Sequence, residues 1–168
     1  MFFFSAFSAP SAVKYFLGIF MSTRRKAREI ALQVLYQLDL DPADPEKVLA
    51  RHWENFQPSE QAREFCARLV EGVLSNREEI DRLIEGNSDN WTLKRMAVVD
   101  RNILRLATFE LRYCPDVPFK VTLNEAVELA KKFGADDSGA FINGILDRVH
   151  TLLDQTPKDD PHIPWAKA

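Results

Sequence analysis

The sequence is poor in the residues that most often carry chemistry or cross-links. Among 168 residues there are two cysteines, three histidines and six glycines. Cys66 and Cys114 are too few for a disulfide framework and show no metal-ligand spacing. Cys66 falls on an apolar helical stripe and reads as a small core residue. The glycines form no phosphate-cradling loop, and His52, His150 and His162 have no nucleophile or ligand partner at motif spacing. His52 is most simply a residue on a helix face. No enzyme, metal site or cofactor is therefore expected. The uninterrupted apolar runs are too short to span a bilayer. An excess of one charge is also missing: the formal net charge is −3, so any affinity for nucleic acid must come from a local patch. What is present is an ordinary globular composition, 46% hydrophobic and 28% charged, in a chain long enough to bury one core.

Apolar residues recur at helical spacing, with no convincing β-hairpin and no internal repeat, which predicts an all-α bundle of about seven helices. Residues 1–21 stand apart. MFFFSAFSAPSAVKYFLGIF is apolar and aromatic, with Pro10 and the single charge of Lys14, and it lacks the basic start of a secretory signal. Because an ordinary soluble sequence begins at Met21, this stretch reads as an upstream extension from a misplaced start, with a targeting or anchoring segment as the alternative. Residues 22–153 form the helical domain. The tail, 154–168, is polar, rich in proline and expected to be flexible.

Helix one is expected from about Thr23 to Asp39, capped by Ser22 or Thr23. Ala27, Ile30, Ala31, Val34, Leu35 and Leu38 form its inward stripe, and Arg25, Glu29, Leu32 and Tyr36 point away. Arg24, Arg25, Lys26 and Arg28 then crowd a first turn where the helix dipole disfavours cations, a local cost without a folding gain. Asp44–Pro45 starts a second helix, with Val48, Leu49, His52, Trp53 and Phe56 buried and Pro58 ending it. Ser59 caps a third, whose stripe runs from Ala62 to Leu74 and continues through Ile80, Leu83 and Ile84 after a bend near Gly72–Asn76. A short helix spans Trp91 to Val98. Asp100 caps the next, with Ile103, Leu104, Ala107 and Leu111 inward, and Pro115 and Pro118 end it.

Phe119–Val149 reads as two helices around a polar elbow. Thr122 and Glu125 match a capping box, followed by Leu123, Ala126, Val127, Ala130 and Phe133 on one face. Lys131 and Lys132 suit the negative helix end, and Gly134 can take a left-handed stop. Asp136, Asp137 and Ser138 can cap the following helix, whose core face is Ile142, Ile145, Leu146 and Val149. Phe141 lies at the edge of that face. Asn143–Gly144 falls inside the helix although both residues lower helix propensity.

Four cations between Arg24 and Arg28, with an outward Tyr36 further along the helix, combine phosphate contacts with a stacking surface. Single-stranded nucleic-acid binders use that pairing. A solvated charged end explains the cations equally simply, and Tyr36 suits a protein interface as well.

Three segments, RRKAREIALQVLYQ, VDRNILRLATFEL and VPFKVTLNEAVELAKKFGADDSGAFINGILDRV, resemble the NusB family of bacterial transcription antitermination factors, in the family's order and over Ser22 to about Val149. The resemblance implies two small helical bundles, no catalysis and a cytoplasmic protein. It implies binding to the boxA element of ribosomal RNA transcripts together with the ribosomal protein NusE, within an RNA polymerase antitermination complex. The RNA-contacting residues it implies are Arg24, Arg25, Lys26 and Arg28, the aromatic Tyr36, Asp100 and Arg101 of the VDR turn, and Asp137, Ser138 and Phe141 of the elbow. Lys26 stands where the family often has arginine, keeping charge without the planar fork. NusB-like proteins occur as monomers and as dimers, and the spacing leaves a homodimer open. Two other readings stand beside this one: a helical protein–protein module without RNA contact, using Leu32 and Tyr36, and the RNA-recruiting domain of a truncated RNA cytosine methyltransferase.

Overall fold

The computed structural model describes residues 11–89 and 91–155, with the backbone alone described over 11–22. Among the described residues seven α-helices follow in order: α1 (Ser11–Leu40), α2 (Pro45–Phe56), α3 (Glu60–Ser75), α4 (Arg77–Gly86), α5 (Val98–Tyr113), α6 (Phe119–Phe133) and α7 (Ser138–Gln155), with a 3-10 turn at Leu93–Arg95. No strand occurs among the described residues, in line with the all-α expectation. Residues 1–10 of the expected extension, and the tail from 156, lie outside the described residues.

The centre is α5, whose residues 102–110 are all buried. It packs against α1, α3, α4, α6 and α7. On one side α1 packs on α2 and α3; on the other, α6 pairs with α7. Only one stripe of α5 was expected to face inward. A helix enclosed on every side must also bury its polar residues, and here these are Asn102, Arg105, Thr108 and Glu110. Burying charge is tolerable only with partners, so α1 and α4 supply them.

Helix starts follow local chemistry where a side chain can reach a free amide. Asp44 accepts from the Glu46 amide at 3.0 Å ahead of Pro45, and Ser59 accepts from the Ala62 amide at 3.3 Å. The expected bend falls at Asn76, between α3 and α4. Gly72 sits before it because a Cβ there would overlap the Phe109 ring of α5.

Other local expectations give way to packing. Helix α1 continues back to Ser11, so Ser22 and Thr23 lie inside it and the four cations are not in its first turn. Phe56 is exposed, since α2 ends at the rim with Gln57 in a left-handed conformation. Leu32 is buried, because α1 is covered on more than one side, and an interface using it is thereby excluded. Leu111 is only half-buried. The short helix is a single 3-10 turn, and α5 begins at Val98 after Ala97, so Asp100 lies in its first turn rather than capping it. Thr122 and Glu125 do not cap α6, which starts at Phe119 after Pro118 and buries both of them.

Candidate nucleic-acid interface

The cations near Arg24 form a graded set, sorted by the rotation of α1. Arg28 faces inward at 2% exposure and donates through Nε and Nη2 to both carboxylate oxygens of Glu110, each at 2.7 Å. Thr122 Oγ1 reaches Glu110 at 3.5 Å, and Glu125 lies 3.8 Å from Arg28. The expectation that Arg28 touches RNA is therefore corrected: its guanidinium is enclosed by the pair that anchors α1 to α5.

One step outward, Arg25 bridges to the buried Glu125, with Nη2 at 2.6 Å and Nε at 3.1 and 3.2 Å from its oxygens, while about half of the Arg25 side chain remains exposed. That hydrogen bond, with the charge of Glu125 behind it, holds the Arg25 pKa above its ordinary value. Arg24 donates to Asp116 at 3.0 Å and lies over the Phe65 ring. The exposed Lys26 lies 3.9 Å from Glu29 and 4.9 Å from the ring centre of Phe56.

Long side chains link α1 to α6: Arg25 meets Glu125 at 2.6 Å and Lys132 meets Glu29 at 2.7 Å. An open groove of about 350 Å³ lies along this seam, lined by Arg25, Glu29, Glu125, Glu128, Leu129, Lys131 and Lys132. Tyr36 is exposed on α1, eleven residues and about 16 Å of helix beyond Arg25.

The elbow between α6 and α7 closes on itself. Gly134 has φ −93° and ψ −171°, which is extended and not the left-handed stop expected. Glycine is needed there for another reason: a Cβ would crowd Ser138 Oγ and the Ala130 carbonyl at 2.7 and 2.8 Å. Ser138 is buried, and its hydroxyl accepts from the Ala135 amide at 2.9 Å. It therefore shapes the elbow, and its expected role as an RNA contact is corrected. Asp137 is exposed, and Phe141 is half-buried one turn later, edge-on to the exposed Trp91 at 5.9 Å between ring centres.

The VDR turn belongs to a separate ionic cluster. Arg101 donates to Asp39 at 2.6 Å, joined by Asn102 and Arg105, each at 3.0 Å. Burial raises the Asp39 pKa, but these donors and the Arg105 charge outweigh it and leave the group below its ordinary value. Asp100 is half-buried, with one carboxylate oxygen enclosed and without a hydrogen-bond partner. Arg25, Lys26, Tyr36, Asp137 and Phe141 thus keep accessible surface, and Arg24 keeps some.

Sequence reasoning missed Glu125, Lys132, Phe56 and Trp91 as neighbours of these residues. Glu125 was assigned to a cap, Phe56 to the buried side of the second helix and Trp91 to a short helix. Neither thiol is poised as a nucleophile: burial pushes Cys66 up to about 12 and Cys114 to about 11. No group of three or more potential metal ligands occurs among the described residues, nor any helix long and apolar enough to cross a membrane.

Residues 25–151 match the family model of the NusB family. The transcription antitermination protein NusB of Geotalea uraniireducens (strain Rf4) is 56% identical over 141 residues, 79% of this chain and 97% of that protein. That of Myxococcus xanthus (strain DK1622) is 51% identical over 139 residues, 80% of this chain and 99% of the relative. Among solved structures, T. maritima NusB superposes with a TM-score of 0.73 at 39% identity, covering 81% of this chain and 94% of that one. A crystal structure of antitermination factors NusB and NusE in complex with dsRNA also gives 0.73, at 30% identity, covering 79% of this chain and 98% of that one. With the family model spanning most of the chain and close relatives matched over nearly their full length, the chain belongs to the NusB family.

Proposed function

We propose that this protein is a transcription antitermination factor that binds boxA RNA of ribosomal RNA transcripts jointly with NusE, and works in the cytoplasm within an RNA polymerase antitermination complex. The observation that carries the reading is the cationic edge of α1, with Arg25 and Lys26 exposed and Arg24 partly so, on the same helix as the exposed Tyr36. Phosphates meet the cations, and a base meets the aromatic face. Arg28 acts indirectly, holding α1 against α5 so that the other three present outward. Asp137 and Phe141 extend the track at the elbow, and Asp100 and Arg101 lie at a second edge suited to the protein partner or to RNA. No catalytic step is part of this reading. The relatives support it through their assigned role in antitermination and through the NusB–NusE–dsRNA complex. The test is a titration of fluorescently labelled boxA RNA and a scrambled control, each with and without NusE. Tighter boxA binding, strengthened by NusE, is expected; equal, weak binding to both RNAs in either condition refutes it.

A further inference from the structure

A second cleft, of about 330 Å³, lies between α1 and the first turns of α3. Thr23 and Arg24 line it from α1, and Gln61, Glu64, Phe65 and Arg68 from α3. Two arginines from different helices converge there on a single carboxylate. Asp116, in the loop between α5 and α6, accepts from Arg24 at 3.0 Å through one oxygen and from Arg68 at 3.3 Å through the other. The Phe65 ring supports the first of these, with the Arg24 guanidinium 4.8 Å from its centre and that of Arg28 at 5.3 Å. Arg68 also donates to the Tyr113 carbonyl at 3.3 Å, which ties it to the end of α5. Burial raises the Asp116 pKa, but the Arg24 hydrogen bond and the Arg68 charge outweigh it and keep the group below its ordinary value. The arginines therefore hold an ionised carboxylate, whose side chain is 43% exposed.

We infer that this cleft is a seat for one backbone phosphate of the RNA, gripped by Arg24 and Arg68, and that Asp116 fills it as an internal stand-in until RNA displaces it. This rests on the RNA-binding reading and adds Arg68 and Asp116 to it, carrying the cationic edge from α1 onto α3. Charge favours exchange over simple addition. Asp116 and Glu64 already balance the two arginines, so a further anion is accommodated only if one carboxylate leaves. Glu64 is fixed on a helix, whereas Asp116 stands on an exposed loop. Arginine trades a carboxylate for a phosphate without losing its geometry, because the planar fork fits either. Thr23 and Gln61 bring a hydroxyl and an amide to the same cleft. An apolar side chain from a protein partner would find only Phe65 among the lining residues, and that ring is buried.

The test titrates labelled boxA and scrambled RNA with the full chain at several salt concentrations, beside melting curves. Arg68→Ala should reduce the slope of log affinity against log salt by about 0.7, one phosphate contact on a single strand, and weaken both RNAs alike. Arg68→Lys keeps the charge and should keep a slope near that of wild type. Asp116→Asn should strengthen binding of both RNAs by about 1.5- to 5-fold, the range of one exposed charge pair, without raising the melting temperature. In the Arg68→Ala background that gain should shrink, because one of the two arginines it frees is gone. Wild-type slope and affinity in Arg68→Ala overturn the seat yet leave the α1 cations as the RNA surface. Unchanged or weaker binding by Asp116→Asn makes the carboxylate a brace for the arginines and overturns the exchange. Unchanged RNA binding with weakened capture of NusE makes the cleft a protein-docking site and also overturns the inference, whereas a wild type that ignores RNA overturns the reading beneath it.

Discussion

Arg28 and Glu110 meet through two parallel hydrogen bonds of 2.7 Å, both side chains buried, joining α1 to the central helix α5. This pair turns a run of four neighbouring cations into an anchor and a surface. With Arg28 fixed, the roughly 100° per residue of the helix directs Arg25 and Lys26 outward.

Breaking that pair on one side should unfold more than it unbinds. Arg28→Ala leaves a buried carboxylate without its main partner, and a loss of about 3–5 kcal/mol is expected in chemical denaturation. Arg28→Met combined with Glu110→Leu should recover much of the loss, because an apolar pair of similar size needs no compensating charge. A double variant as unstable as the single one would mean that the pair itself, and not the uncompensated charge, carries the stability.

Neighbouring positions on α1 should separate folding from binding. Leu35→Ala removes a side chain that is 3% exposed and should cost about 2–5 kcal/mol. Tyr36→Ala, at 38% exposure, should cost much less yet weaken boxA binding. Thermal melts beside RNA titrations check this, and equal stability losses would contradict the outward placement of Tyr36.

The Asp39 cluster gives a dependence on pH with a defined sign. Its folded pKa is held below the ordinary 3.8, so its contribution is fully present above about pH 4 and is lost as pH falls through the folded value. Asp39→Asn should be less stable than wild type near neutrality, by about 1–3 kcal/mol. That gap should narrow below pH 4. Denaturation midpoints between pH 7 and 2.5 measure it, and a gap constant over that range would show that the carboxylate's charge is not what Arg101 and Arg105 hold.

Periodicity read the buried stripes well because a helix face repeats every three or four residues whatever it packs against. Ala27 to Leu38 and Ile142 to Val149 are buried as their spacing predicts. Caps with a short polar residue before proline or glutamate, Asp44 and Ser59, were equally legible, since donor and acceptor are neighbours in sequence. What spacing could not supply was partners about a hundred residues apart. Thr122 and Glu125 fit a capping box perfectly well as letters, but α6 begins three residues earlier and turns both toward Glu110, Arg25 and Arg28. For the same reason Arg28 looked like its three neighbours. The cationic edge and Tyr36 were visible in the sequence, and the pairing of Phe141 with Trp91 was not, because it joins α7 to a segment fifty residues before it.

The most direct test is the salt dependence of boxA binding for wild type and an Arg24→Ala/Lys26→Ala variant. Asp116 keeps Arg68 and Glu29 keeps Lys132 in that variant, so the fold should be untouched. If both cations meet phosphates on a single strand, the slope of log affinity against log salt should shrink by about 1.4, at about 0.7 per contact, with affinity lowered for boxA and scrambled RNA alike. An unchanged slope and unchanged affinity would contradict the claim that the cationic edge of α1 holds RNA.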